Sequence, residues 1–128
     1  MGSRGADRTP AQGRKAVPRG QIQVESVIAM AYLIEFAESV KGHFRQLTAR
    51  DRALLFDEIE KQLLHEPLVE TRNRKPLRPN PIAPWELRVG DLRVFYEVPE
   101  GEPVKVRILA VGEKKGNSLW IGNKEVQI

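Results

Sequence analysis

The stretch Trp85-Glu86-Leu87-Arg88-Val89-Gly90-Asp91-Leu92-Arg93-Val94-Phe95-Tyr96-Glu97-Val98 constrains this chain more than any other. Two runs of alternating polarity, Trp85–Val89 and Leu92–Val98, flank Gly90-Asp91, a two-residue turn signal for an antiparallel hairpin. If the turn is those two residues, the register follows. Val89 faces Leu92, Arg88 faces Arg93, Leu87 faces Val94, Glu86 faces Phe95 and Trp85 faces Tyr96. Side chains alternate across a strand. Trp85, Leu87, Val89, Leu92, Val94 and Tyr96 therefore share an apolar face that needs a core. Glu86, Arg88, Arg93 and Phe95 share the other.

Directly opposed arginines are unfavourable by a few tenths of a kcal/mol. Two kinds of group can offset that: a neighbouring carboxylate (Glu86 or Glu97), giving an ion-pair network, or a bound polyanion. Arginine's planar fork matches phosphate bidentately, and Phe95 beside the pair is placed to stack on a base. A five-residue turn over 99–103 pairs Phe95 with Arg107 and brings Arg107 onto the same face. The segment entering the hairpin carries Arg72, Arg74, Lys75 and Arg78 among Pro67, Pro76, Pro79, Pro81 and Pro84. It reads as a long loop without structure of its own, stiffened so that ordering on binding is cheap. Its basic character favours nucleic acid over a purely internal network.

The other segments complete an α+β pattern. Tyr32–Phe36 reads as a strand. Val40, Phe44 and Leu47 lie on one face of a short helix. Thr48 with Asp51 caps a second helix over about Ala49–His65, with Leu55, Ile59 and Leu63 as its apolar stripe and Pro67 as its stop. Val104–Val111 is a further strand, and Leu119–Ile121 with Lys124–Ile128 form a last hairpin around Gly122-Asn123. The expected fold is a small antiparallel sheet with an N-terminal helical hairpin packed on one face.

The chain has 128 residues and carries a net charge of +4. Residues 1–29 hold +3 of this and residues 30–128 only +1. Residues 1–20, rich in Gly and basic residues without apolar periodicity, read as disordered. The domain is expected to span 30–128, with 1–29 an extension. No cysteine is present, which excludes thiolate metal sites and a cysteine nucleophile. The two histidines are expected at surface or helix-end positions, and no metal or cofactor is expected. No apolar run approaches the ~18 residues of a membrane span. The first 20 residues lack a signal-peptide core, so the cytoplasm is the default location. There is no phosphate-binding glycine loop or nucleophile elbow. Catalysis would have to rest on Arg, Lys, Glu, His or Tyr acting on a substrate with its own nucleophile. RNA, with its 2′-hydroxyl, is one.

The start Met30-Ala31-Tyr32-Leu33-Ile34-Glu35-Phe36, the hairpin WELRVGDLRVFYEV and the strand ILAVGEKKGN (108–117) together resemble the RelE/ParE superfamily of bacterial type II toxins. The resemblance covers about residues 30–121. It implies a toxin with a cognate antitoxin partner, acting as a ribosome-dependent mRNA endoribonuclease that blocks translation. It places Arg88 at a family lysine, Arg93 at a family arginine and Lys114 near another. Together they would hold the scissile phosphate. Glu86 stands where a RelE-type lysine would be, and is a candidate general base. Trp120 stands roughly where the family has a tyrosine, and can stack on a base but supplies no phenolic proton. The catalytic candidates are thus Arg88, Arg93, Lys114 and Glu86. The RNA-binding candidates are Arg72, Arg74, Lys75, Arg78, Phe95, Arg107 and Trp120. Those departures leave two alternatives, a ParE-like inhibitor of DNA gyrase without catalysis and a degenerate, non-toxic binding module.

Overall fold

In a computed structural model, residues 31–127 are described. The expectations placed on residues 1–29 and on a start at Met30 lie outside them. The hairpin forms as its turn requires. β3 (Trp85–Val89) and β4 (Leu92–Glu97) pair in the register derived above, Arg88 opposite Arg93 included. Gly90 sits at a φ of 60°, the left-handed conformation that this turn demands and that glycine adopts without steric cost.

β5 (Lys105–Lys115) is the longest strand and the axis of the sheet. One edge pairs antiparallel with β4. The other edge is shared. Its first part pairs with β1 (Leu33–Phe36), and its last four residues pair with β6 (Ser118–Ile121). β7 (Lys124–Val126) adds to β6, and β2 (Arg74–Pro76) adds to β3, giving a sheet of seven strands among the described residues. Three expectations are corrected here. The sheet is mixed, because β1 runs parallel to β5. A parallel pair needs a long crossover, and the helical segment after β1 begins one. The proline-rich segment is not structureless, since β2 lies within it. Third, Glu97 pairs with Arg107 rather than Lys105, because the β4–β5 connection is longer than a five-residue turn, and a register shift between Phe95 and Tyr96 then places Phe95 opposite Ala110. Such a bulge opposes one extra residue on one strand and moves every later pairing.

Among the described residues, two helices precede β2, α1 (Val40–Arg45), fewer than two turns long, and α2 (Ala49–Leu63). The Thr48 hydroxyl accepts the Asp51 N–H at 3.1 Å, the expected N-cap. Val40, Phe44, Leu47, Leu55, Ile59 and Leu63 join Leu87, Val89, Leu92, Val94, Tyr96, Val106, Ile108 and Val111 in one buried cluster. Each such side chain contributes about 1.5–3 kcal/mol on full burial. The Tyr96 phenol donates to the Pro67 carbonyl at 2.6 Å, tying the end of the helical segment to the hairpin. Its burial pushes the phenol's pKa far above the usual value.

The opposite sheet face has its own smaller core of Ala83, Phe95, Ala110, Leu119 and Ile121, with Leu77, Ile82 and Leu109 packed against it. The proline-rich loop thus lies over the Phe95–Ala110 part of that face. Asn80 holds the loop together. Its Oδ1 accepts the N–H groups of Ile82 and Ala83 (2.7 and 3.0 Å), and its Nδ2 donates to the carbonyls of Arg78 and Ala83 (2.7 and 2.8 Å).

Gly112 is where β5 and β6 approach too closely for a side chain. A Cβ there would lie 2.3 Å from the Trp120 carbonyl oxygen and 2.9 Å from Ile121 Cγ1. Gly112→Ala is expected to destabilise by about 1–3 kcal/mol, a fall in Tm of roughly 5–15 °C. Gly42→Ala is the control, because it lies in α1 with nothing within 4 Å of its Cβ position. It should be neutral or raise the Tm slightly. Equal effects at the two sites would contradict this account of Gly112.

Candidate nucleic-acid interface

The β3–β4 turn end of the second face remains open, and there Glu86, Arg88, Arg93 and Lys114 line one cleft of about 180 Å³. Strand parity explains the assembly. Glu86 and Arg88 are two residues apart on β3, and Arg93 pairs with Arg88. Arg93 is followed across the sheet by Gly112, and Lys114 lies two residues further along β5. Leu119 and Val126, a cross-strand pair of the β6–β7 hairpin, form the other wall with Asn117 and Gln127. Asn117 and Gln127 were not singled out in the sequence. The polarity alternation around Gly122-Asn123 was the available signal for the wall they belong to.

The like-charged pair is offset by a carboxylate from within the sheet. Arg88 Nε donates to Glu86 Oε2 at 2.5 Å, and Arg93 Nε lies 3.9 Å from the same oxygen. Arg93 also donates through one terminal nitrogen to the carbonyls of Gly90 and Leu92 at 2.8 and 2.9 Å, which clamps its guanidinium to the turn. The Arg88 side chain is 48% exposed, against 14% for Arg93 and 8% for Glu86. The cleft therefore holds one anchored arginine, one accessible arginine, a lysine and a buried carboxylate.

The other candidates are distributed differently. Phe95 is fully buried in the second core, so it is not available to stack on a base. Arg74 is buried as well. Its Nε donates to the Val69 carbonyl (2.9 Å), and a terminal nitrogen donates to the Gln62 carbonyl and side-chain oxygen (2.8 and 3.1 Å). It binds the loop to the last turn of α2, where a cation is favoured. Lys75 faces Glu86 across β2–β3, but its ammonium lies 3.8 Å from Glu70. Arg72 and Arg78 are exposed. Arg107 pairs with Glu97, roughly 13 Å along the strand from the Arg93 pairing. Trp120 pairs with Glu113 and points to the helix side. There, with His43, Gln46, Lys115 and Asn123, it lines a separate cleft of about 190 Å³, and the Lys115 ammonium lies 5.8 Å from the ring centre. The structure brings none of these seven into the arginine cleft. His43 is half-buried and accepts the Val111 N–H on Nδ1 at 3.3 Å. Desolvation lowers its pKa.

No family model matches the chain, and no curated protein matches it. Among solved structures, it is similar to a chain of the RelBE2 toxin–antitoxin complex from Mycobacterium tuberculosis. The identity is 27%, with a TM-score of 0.57, over 66% of this chain and 93% of that one. That likeness supports a RelE-like toxin. The β6–β7 hairpin supplies one wall of the cleft. Among the described residues, no helix is long and apolar enough to cross a membrane.

Arg74→Ala leaves the Val69 and Gln62 carbonyls without their charged donor and should cost about 2–4 kcal/mol in a denaturant melt. Arg78→Ala, at an exposed side chain, should stay within about 0.5 kcal/mol. Separately, the folded protein resists protonation of His43 more than the unfolded chain does. Stability should therefore fall as pH drops through the ordinary histidine value of 6.5 and flatten once the folded form also protonates. His43→Gln, which retains an acceptor for Val111, should reduce that slope in melts between pH 7.5 and 5. An unchanged slope would assign the acid sensitivity to other groups.

Proposed function

We propose that this protein is the toxin of a type II toxin–antitoxin pair and that the arginine cleft cleaves mRNA on the ribosome. The observation that carries the reading is the convergence of Arg88, Arg93, Lys114 and Glu86 on one open cleft in a RelE-like fold. Arg93, held by the turn carbonyls, and Arg88 are suited to grip a phosphodiester bidentately. The substrate supplies the nucleophile. The RNA 2′-oxygen attacks the adjacent phosphorus, the bond from phosphorus to the 5′-oxygen breaks, and a 2′,3′-cyclic phosphate remains. Glu86 takes the 2′-hydroxyl proton, and the departing 5′-oxygen takes a proton from water. Lys114 and the arginines stabilise the charge that builds on the phosphoryl oxygens.

An antitoxin partner fits a second feature. Ile34, Phe36, Phe56, Ile59 and Leu64 line an apolar groove between β1 and α2, in which Phe36 and Phe56 are 40% and 49% exposed. Their rings meet edge to face at 5.9 Å, and Phe44 stacks on Phe56 at 4.8 Å. Such a patch suits an amphipathic partner segment.

A non-catalytic toxin directed at DNA gyrase is the second reading. The observation behind it is that Glu86 already neutralises part of the cleft and that no tyrosine lines it. Induction of the protein in a bacterial host separates the readings. Growth arrest that is lost in Arg93→Ala, at equal soluble expression, supports the cleft as the active element. Full toxicity in that variant would sink it. Arrest with supercoiling inhibited and mRNA intact would move the assignment to gyrase.

A further inference from the structure

The Glu86 carboxylate sits between the two arginines of the cleft. Its Oε2 bonds Arg88 Nε and faces Arg93 Nε, the inward donors of both guanidinium groups. Arg93 cannot move aside without breaking its two bonds to the turn carbonyls. Arg88 has no such anchor among the described residues, and half of its side chain is in solvent. The bond that can be exchanged is therefore the one between Arg88 and Glu86.

We infer that Glu86 is an internal competitor for phosphate. On the reading that the cleft binds RNA, a phosphodiester must displace the Glu86 carboxylate from Arg88 before both arginines can grip it. Two consequences are physical. Binding is weaker than the three cations would allow, because the four charged residues of the cleft sum to +2. The displacement also frees the Glu86 carboxylate beside the bound phosphate, coupling phosphate capture to release of the candidate base. Until RNA arrives, the carboxylate offsets repulsion between Arg88 and Arg93.

Glu86→Gln tests this, because glutamine keeps the shape and an acceptor but removes the charge. The probe is a short single-stranded RNA with 2′-O-methyl groups, which cannot be cleaved. It is titrated into the full chain while the arginine Nε–H resonances are followed by NMR. The variant should bind about fivefold tighter or more. Its affinity should fall more steeply with salt, by roughly 0.7 in the log–log slope for the arginine released. Its Tm without RNA should drop. In an Arg88→Gln background, Glu86→Gln should add little. If Glu86 is only a structural counter-charge, the Tm falls while affinity and salt slope stay put, and the inference is overturned. Should Glu86→Gln fail to fold, Glu86→Asp, which shortens the carboxylate's reach, should give a smaller gain in the same direction. No gain there overturns the inference equally. Wild-type binding that Arg93→Ala does not weaken, or no wild-type binding at all, would instead remove the RNA reading of the cleft.

Discussion

A two-residue turn decides which side chains meet across β3 and β4, and much of the molecule follows from that register. Once Gly90-Asp91 closes the hairpin, Arg88 and Arg93 must face each other, and the apolar residues between them must face the other way. The apolar set creates the demand for helices on one side. The arginine set creates the demand for an anion on the other. Glu86, two residues before Arg88, meets the second demand from within the same strand.

The two faces of the sheet are covered to different extents. α1 and α2 contribute their apolar stripes to the first face. On the second, the proline-rich loop lies over Phe95 and Ala110 but leaves the turn end open. The loop's prolines and the Asn80 hydrogen bonds hold it as a lid over a small core rather than as a freely moving binding arm. Arg74 anchors it to α2 from below. The cleft exists because this cover stops short of the turn and because β6 and β7 raise a wall beside it.

The hairpin, the N-cap at Thr48 and the grouping of Glu86, Arg88 and Arg93 were legible because each depends on local chemistry with a fixed period. The β4–β5 register was not, since no glycine or other break marks the bulge after Phe95 and the turn residues at 99–103 do not fix the length of the connection that sets the Arg107 pairing. Parity also separated residues that look equivalent in a basic run. Arg74 pairs with Leu87 and turns into the protein, whereas Lys75 pairs with Glu86 and stays on the cleft side of the sheet. Trp120 fell on the helix face for the same reason, because its partner is Glu113. The parallel pairing of β1 had no local signal, since a four-residue apolar strand does not specify its neighbour.

In the proposed function, the cleft directs the RNA's own hydroxyl at its own backbone. The most direct test is a purified translation reaction in which ribosomes are programmed with a defined mRNA, the protein is added, and the RNA ends are mapped and their chemistry read. Cleavage of ribosome-bound message that leaves 2′,3′-cyclic phosphate ends is the expected result. Intact message in the presence of active, folded protein would contradict it.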